Sequence, residues 1–171
     1  MAIVLKLDNL IQGEYYKRKF KLIILIMIYT EKPENFIPDI EVVACLVEYK
    51  GKFILLHRQD HKIHGNKWGQ PAGKVDLTDQ DNLEAMTREL KEETGLEVKR
   101  EDLNFYKTFF VSHPDRDFLY HYFNVHLKEE PLIVLSEKEH KGFSWVTVDQ
   151  ALSMPLILDE DFCLKDYYGI N

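Results

Sequence analysis

Between Asn82 and Gly95 the chain is best read as a helix. Leu83, Met86 and Leu90 recur at helical spacing, so one stripe must be buried against another element, and Gly95 supplies the stop after Thr94. The same helix carries Glu89, Glu92 and Glu93 at i, i+3 and i+4, which puts three carboxylates on one face. Like charges at that spacing repel by a few tenths of a kcal/mol per pair. A hard divalent cation reverses the sign, because Mg²⁺ prefers oxygen ligands and keeps part of its water. An ordinary solvated face is the competing reading, since Glu84 with Arg88, and Arg88 with Glu92, can pair at i, i+4.

The segments around the helix are short and apolar. Glu41–Tyr49 and Phe53–His57 flank Lys50-Gly51-Lys52, a hairpin signal. Gln59–Asn66 is a polar loop, and Trp68-Gly69-Gln70-Pro71-Ala72-Gly73-Lys74-Val75 is a punctuated turn entering a short strand. Leu103–Val111 and Phe118–Leu127 read as strands, the second placing Phe118, Tyr120 and Tyr122 on one face and Leu119, His121 and Phe123 on the other. Phe143–Val146 is a further strand, and helical stretches start at Asp149 (to Met154, before Pro155) and Asp159 (to Tyr168). Strands and helices intermix, so the class is α/β or α+β.

At 171 residues the chain has the length of one domain, and 45% hydrophobic with 30% charged residues is an ordinary globular balance. The net charge of −7 opposes a phosphate-tracking nucleic-acid surface. Two cysteines, Cys45 and Cys163, are too few for a disulfide scaffold or a structural zinc site, which implies a reducing compartment and a cytoplasmic location. Residues 1–37 carry +2, leaving −9 on residues 38–171, and Pro33 and Pro38 bracket a linker. We therefore expect an N-terminal extension, 1–37, on a core domain, 38–171. Within the extension the apolar run 22–29 is far short of the ~20 residues that span a bilayer. It reads as a buried β-strand; a membrane-surface contact and a strand completing a homodimer are the alternatives.

Arg88-Glu89-Leu90-Lys91-Glu92-Glu93-Thr94-Gly95-Leu96, preceded by the Ala72-Gly73 turn, resembles the box of the Nudix hydrolase family, G-x5-E-x7-R-E-U-x-E-E-x-G-U with U aliphatic. The second half matches at every fixed position. Ala72 stands where a second glycine is usual. Counting from either end puts Asp79 or Gln80 at the first glutamate, so the loop Leu77–Asn82 holds one extra residue, and Asp79 is the expected surrogate. The resemblance covers Glu41 to Asp161 loosely and leaves residues 1–37 aside.

The resemblance implies a three-layer α/β/α sandwich with a mixed β-sheet. It also implies Mg²⁺-dependent hydrolysis, Mn²⁺ being a substitute, of the pyrophosphate linkage in a nucleoside diphosphate derivative. Glu89, Glu92 and Glu93 would be metal ligands, joined by the Ala72 carbonyl. Arg88 would orient the glutamates, and the proton acceptor would be a box glutamate or Glu139. The expected partner is a small nucleotide, neither long nucleic acid nor a membrane. Arg58 and Lys74 are phosphate-binding candidates, and Trp68 and Tyr122 candidates for stacking on a base, with ordinary solvation and core packing as the bland readings. A non-catalytic nucleotide-sensing domain of the same fold is the rival, which loss of box carboxylates would favour.

Other motifs fail on spacing. Gly69-x3-Gly73-Lys74 misses the P-loop spacing and lacks a following Ser or Thr. Asp76, Asp79 and Asp81 lack the glycine and terminal glutamate of a calcium loop. His57, His61 and His64 have no supporting cysteine or carboxylate pattern for zinc. Pro114 sits near the place of a marker proline in ADP-ribose enzymes, a few residues too far along.

Overall fold

The computed structural model describes residues 27–113 and 116–170. Its strands are β1 (Met27–Tyr29), β2 (Ile40–Tyr49), β3 (Lys52–Arg58), β4 (Trp68–Gly69), β5 (Ala72–Lys74), β6 (Asn104–His113), β7 (Arg116–His126) and β8 (His140–Val146). The helices are α1 (Asn82–Thr94), α2 (Val148–Leu152) and α3 (Glu160–Tyr168). The sheet runs β1-β6-β7-β2-β3-β4, with β5 on β2 and β8 on β3. It is mixed: β2 lies parallel to β7, from Ile40 opposite Phe118 to Glu48 opposite His126, while the other pairings are antiparallel.

The hairpin expected at Lys50-Gly51 forms, both residues taking positive φ (47° and 74°), as a tight turn between twisted strands requires. Only Glu48 with Phe53 and Tyr49 with Lys52 pair across it, however. Further from the turn, β2 pairs instead with β5, Val42 to Ala44 facing Lys74 to Ala72. That divergence of β2 from β3 makes room for β4 and β5, and so sets the Pro71-Ala72-Gly73 backbone into the sheet beside α1.

Alternation along β2 and β3 supplies both cores. Val43, Cys45, Val47, Ile54 and Leu56 point to one face and meet Ala85, Met86 and Leu90 of α1. Ala44, Leu46, Phe53 and Leu55 point to the other and meet Ala151 of α2 and Cys163 and Leu164 of α3. These two faces define the α/β/α sandwich. Fully burying a Leu or Met side chain contributes about 1.5–3 kcal/mol, so Met86 and Leu90, with Ala85 and Leu83 beside them, anchor α1 through one face.

Of the run 22–29, Met27–Tyr29 forms β1, paired with Phe110–Ser112 of β6 and burying Ile28; residues 22–26 lie outside the described residues, as does Pro114. The strand expected at 143–146 begins earlier, at His140, because β8 pairs along nearly all of β3. Cys45 and Cys163 are free thiols in the core. Among the described residues no helix is long and apolar enough to cross a membrane.

Candidate active site

The acidic helix is fixed at both ends. Asp81 caps its start, its side chain accepting from the Glu84 N–H at 2.9 Å. Gly95 ends it at φ 71°, a left-handed conformation that glycine takes without strain, with its N–H donating to the Lys91 carbonyl at 3.0 Å. Between these caps the three glutamates occupy different environments. Glu93 is buried at the inner edge, Glu89 lies partly covered, and the Glu92 side chain is 60% exposed.

Glu93 meets the sheet directly. The Ala72 N–H donates to its Oε2 at 2.9 Å, and His140 Nε2 stands 3.6 Å from its Oε1. Burial pushes the Glu93 carboxyl up to about 8, against the hydrogen bond from Ala72. His140 moves the other way, down to about 4, first through burial and then through the nearby Arg58 charge. Glu89 lies against Gly73 so closely that a Cβ there would overlap its carboxylate. The box glycine is therefore a matter of room. Burial raises Glu89 too, opposed by its bond from Arg88.

Arg88 is the hub. Its Nη1 donates to Glu89 Oε1 at 2.7 Å and lies 3.4 Å from Glu92 Oε2; its Nη2 donates to the Lys74 carbonyl at 2.9 Å. Asp79, not Gln80, takes the remaining fork: Arg88 Nε to Oδ1 at 3.1 Å and Nη2 to Oδ2 at 2.9 Å. Asp79 also accepts from the Asp76 N–H, whereas the Gln80 N–H turns to Glu84. The extra residue in this loop is thus absorbed upstream of α1, leaving Arg88 with a buried carboxylate partner. Among the described residues no three His, Cys, Asp or Glu side chains converge on one point ready to hold a metal ion, because Arg88 draws Glu89 and Glu92 toward itself.

The other candidates divide. Arg58 stands near the acidic end of α1, its charge acting on Glu93, Glu139 and His140, while its Nε is committed to the Ile63 carbonyl at 2.8 Å. Glu139 joins the same neighbourhood and pairs with Lys62. Lys74 is exposed on β5, contributing its carbonyl to Arg88. Trp68 stacks on His57 at 4.3 Å and 12°, so one ring face is covered. Tyr122 corrects the expectation of a base-stacking residue. It is fully buried in the core, where Gln70 Nε2 donates to its hydroxyl at 2.5 Å, and it presents no face to a ligand. Lys62 and His140 were not singled out from sequence. Their partners lie 77 and 47 positions away, beyond any local pattern.

A family model for the NUDIX domain matches residues 38–165. The chain belongs to the NUDIX family. Among similar proteins, the CTP pyrophosphohydrolase of Escherichia coli K12 is 29% identical over 119 residues, covering 68% of this chain and 82% of that protein. Phosphatase NudJ of the same strain is 29% identical over 130 residues, covering 72% and 81%. The solution structure of the E. coli ORF135 protein superposes with a TM-score of 0.63 at 26% identity, covering 77% of this chain and 89% of that one. The chain is a Nudix pyrophosphohydrolase with the Nudix sandwich as its fold.

Proposed function

We propose that this Nudix enzyme hydrolyses the pyrophosphate linkage of a nucleoside diphosphate derivative, a nucleotide, dinucleoside polyphosphate or nucleotide sugar, with Mg²⁺ or Mn²⁺ at the acidic helix. The observation that carries this reading is the placement of Glu89 and Glu93 against the Ala72-Gly73 backbone, with Arg88 joining Glu89 to Glu92. The donors suit a hard divalent cation: three carboxylates and, at Ala72, a backbone carbonyl. A carboxyl as buried as Glu93 gains most from a cation, since burial otherwise disfavours its charge.

Glu89, Glu92, Glu93 and Ala72 would hold the ion, which when bound neutralises charge on the phosphates and the leaving group. Glu92, exposed and weakly held, is free to turn away from Arg88. Arg88 acts through the glutamates, its Asp79 and Lys74 contacts keeping the guanidinium in place. Arg58, Lys74 and Trp68 are read as substrate contacts. Glu139 is the proton acceptor outside the helix.

We read residues 38–171 as the hydrolase domain and 1–37 as an extension that adds β1 to its sheet, with pairing of two copies through the 22–29 segment as its use. A reducing cytoplasm suits the two core thiols. The test is to incubate the full chain with Mg²⁺ and a panel of nucleoside diphosphate derivatives, beside a Glu92→Gln control. Nucleotide products that disappear in the control support the reading. Binding of panel members without hydrolysis contradicts it, in favour of a sensing domain.

A further inference from the structure

Glu139 has a partner that no part of the acidic helix supplies. Lys62 Nζ pairs with Glu139 Oε1, both side chains being about one-third exposed (30% and 34%). The backbones carrying them are tied to one another by hydrogen bonds. In the loop after β3, Arg58 Nε donates to the Ile63 carbonyl, the Gly65 N–H to the Lys62 carbonyl at 2.8 Å and the Lys62 N–H to the Gln59 carbonyl at 3.2 Å. A side chain at Gly65 would strike the Asp60 carbonyl, so this loop closes only around glycine.

The loop is then stitched to the turn before β8. Gln59 donates from its N–H to the Glu139 carbonyl at 2.9 Å and from Nε2 to the Glu137 carbonyl at 2.8 Å, and Lys141 Nζ meets Asp60 Oδ1 at 2.5 Å. That turn is stitched in its own right to the acidic helix, the Ser136 N–H donating to the Glu93 carbonyl at 3.2 Å. Three elements meet at this junction, with the Lys62 and Glu139 side chains between them.

An ammonium on a four-carbon stem is suited to such a junction. It has three donors and no fixed plane, so it can trade one oxygen anion for another with little directional cost. A diphosphate brings more negative charge than one carboxylate and competes for it. We propose that Lys62 is a positioning residue that holds the Glu139 carboxylate beside the Glu93 end of α1 and passes to the phosphate oxygens of an incoming diphosphate, freeing Glu139 to accept a proton. This rests on the hydrolase reading above. In the step it serves, the water oxygen forms the new bond to phosphorus and its proton goes to Glu139. The bridging P–O bond breaks, and its electron pair leaves with the departing phosphate.

The groups facing Glu139 are Lys62 from the loop, Arg58 from β3, His140 from β8 and Glu93 from α1. Lys62 exerts the largest influence and, with Arg58 and His140, holds Glu139 below the usual glutamate range against its partial burial. Removing Lys62 therefore moves Glu139 upward, and so does drawing Lys62 onto a phosphate.

The primary test needs no turnover. The Lys62 ammonium signal of the full ¹⁵N-lysine-labelled chain, assigned by its loss in Lys62→Met, is compared in the unsubstituted protein, in Glu139→Gln, and during titration with methylenediphosphonate and Mg²⁺. We expect the signal to shift in Glu139→Gln and to move on diphosphonate addition. A signal that ignores either change overturns the proposal. In kinetics, Lys62→Met is expected to raise KM and to displace the acid limb of the kcat/KM profile to higher pH, with Lys62→Arg restoring both. An unmoved limb also overturns it. Absence of hydrolysis across the panel defeats the hydrolase reading instead, and the ammonium titration still decides the behaviour of Lys62.

Discussion

Asp79 and Arg88 are joined by two hydrogen bonds in a forked arrangement, at 3.1 and 2.9 Å, with the Asp79 side chain only 4% exposed. A bidentate pair of this kind fixes both the position and the plane of the guanidinium. Because Arg88 also holds Glu89, the loop before the helix sets the geometry of the site within it.

Asp79→Asn should cost about 1–3 kcal/mol, the usual range for loss of a charged hydrogen-bond partner at a poorly hydrated site. Arg88, with the Asp76 N–H, holds the Asp79 carboxyl below its ordinary range. That contribution is present above the unfolded-state value near ~3.9 and lost as pH falls through the lower folded-state value. Urea midpoints measured from pH 7 downward should therefore converge for the two proteins, whereas Gln80→Ala should leave the midpoint unchanged.

Gly73→Ala separates folding from function. The atoms that a Cβ would meet are the far end of the Glu89 side chain, which can swing away cheaply. Thermal unfolding should show a loss of no more than about 0.5 kcal/mol, the range of ordinary surface changes. Displacing a candidate metal ligand should nevertheless lower Mg²⁺-dependent turnover by about 10–100-fold, the effect typical of disturbing a metal site's supports. Unchanged turnover in the folded variant would mean that Glu89 does not act at the site.

Tyr122→Phe tests the reassignment of that residue to the core. The substitution leaves the Gln70 side-chain amide without its bond to the hydroxyl in a buried setting, a cost of about 1–3 kcal/mol. KM for whichever panel member is hydrolysed should not change. Trp68→Ala, read as a substrate contact, should raise KM.

Glu160, the first residue of α3, is 5% exposed, and burial pushes it up to about 8. Its folded-state value exceeds the unfolded one, so it stabilises the fold fully below the unfolded value near ~4.3 and progressively less as pH rises through about 8. Unfolding followed between pH 5 and 9 should show a decline in stability that Glu160→Gln flattens.

What was legible in the sequence follows the range of the interactions. Helix α1 can be read because its stripe and its Gly95 stop are local, and the alternation in β7 gives away its two faces. The Arg88–Glu89–Glu92 cluster lies within one helical turn and was equally visible. The splitting of β2 between β3 and β5 was not, since it depends on which distant segment wins each backbone edge. Tyr122 misled because alternation assigns a residue to a face without saying whether a helix covers that face. Lys62, Glu139 and His140 meet through strand pairing between β3 and β8, far apart along the chain.

A cation site formed jointly by Glu89, Glu92 and Glu93 can be tested without knowing the substrate. Free Mn²⁺ should be followed by its electron paramagnetic resonance signal as the ion is titrated into the unsubstituted chain and into a chain carrying Glu89→Gln, Glu92→Gln and Glu93→Gln, after circular dichroism has shown both to be folded. The unsubstituted chain should deplete the free-ion signal and the triple substitution should not. Equal depletion by both would contradict a joint site.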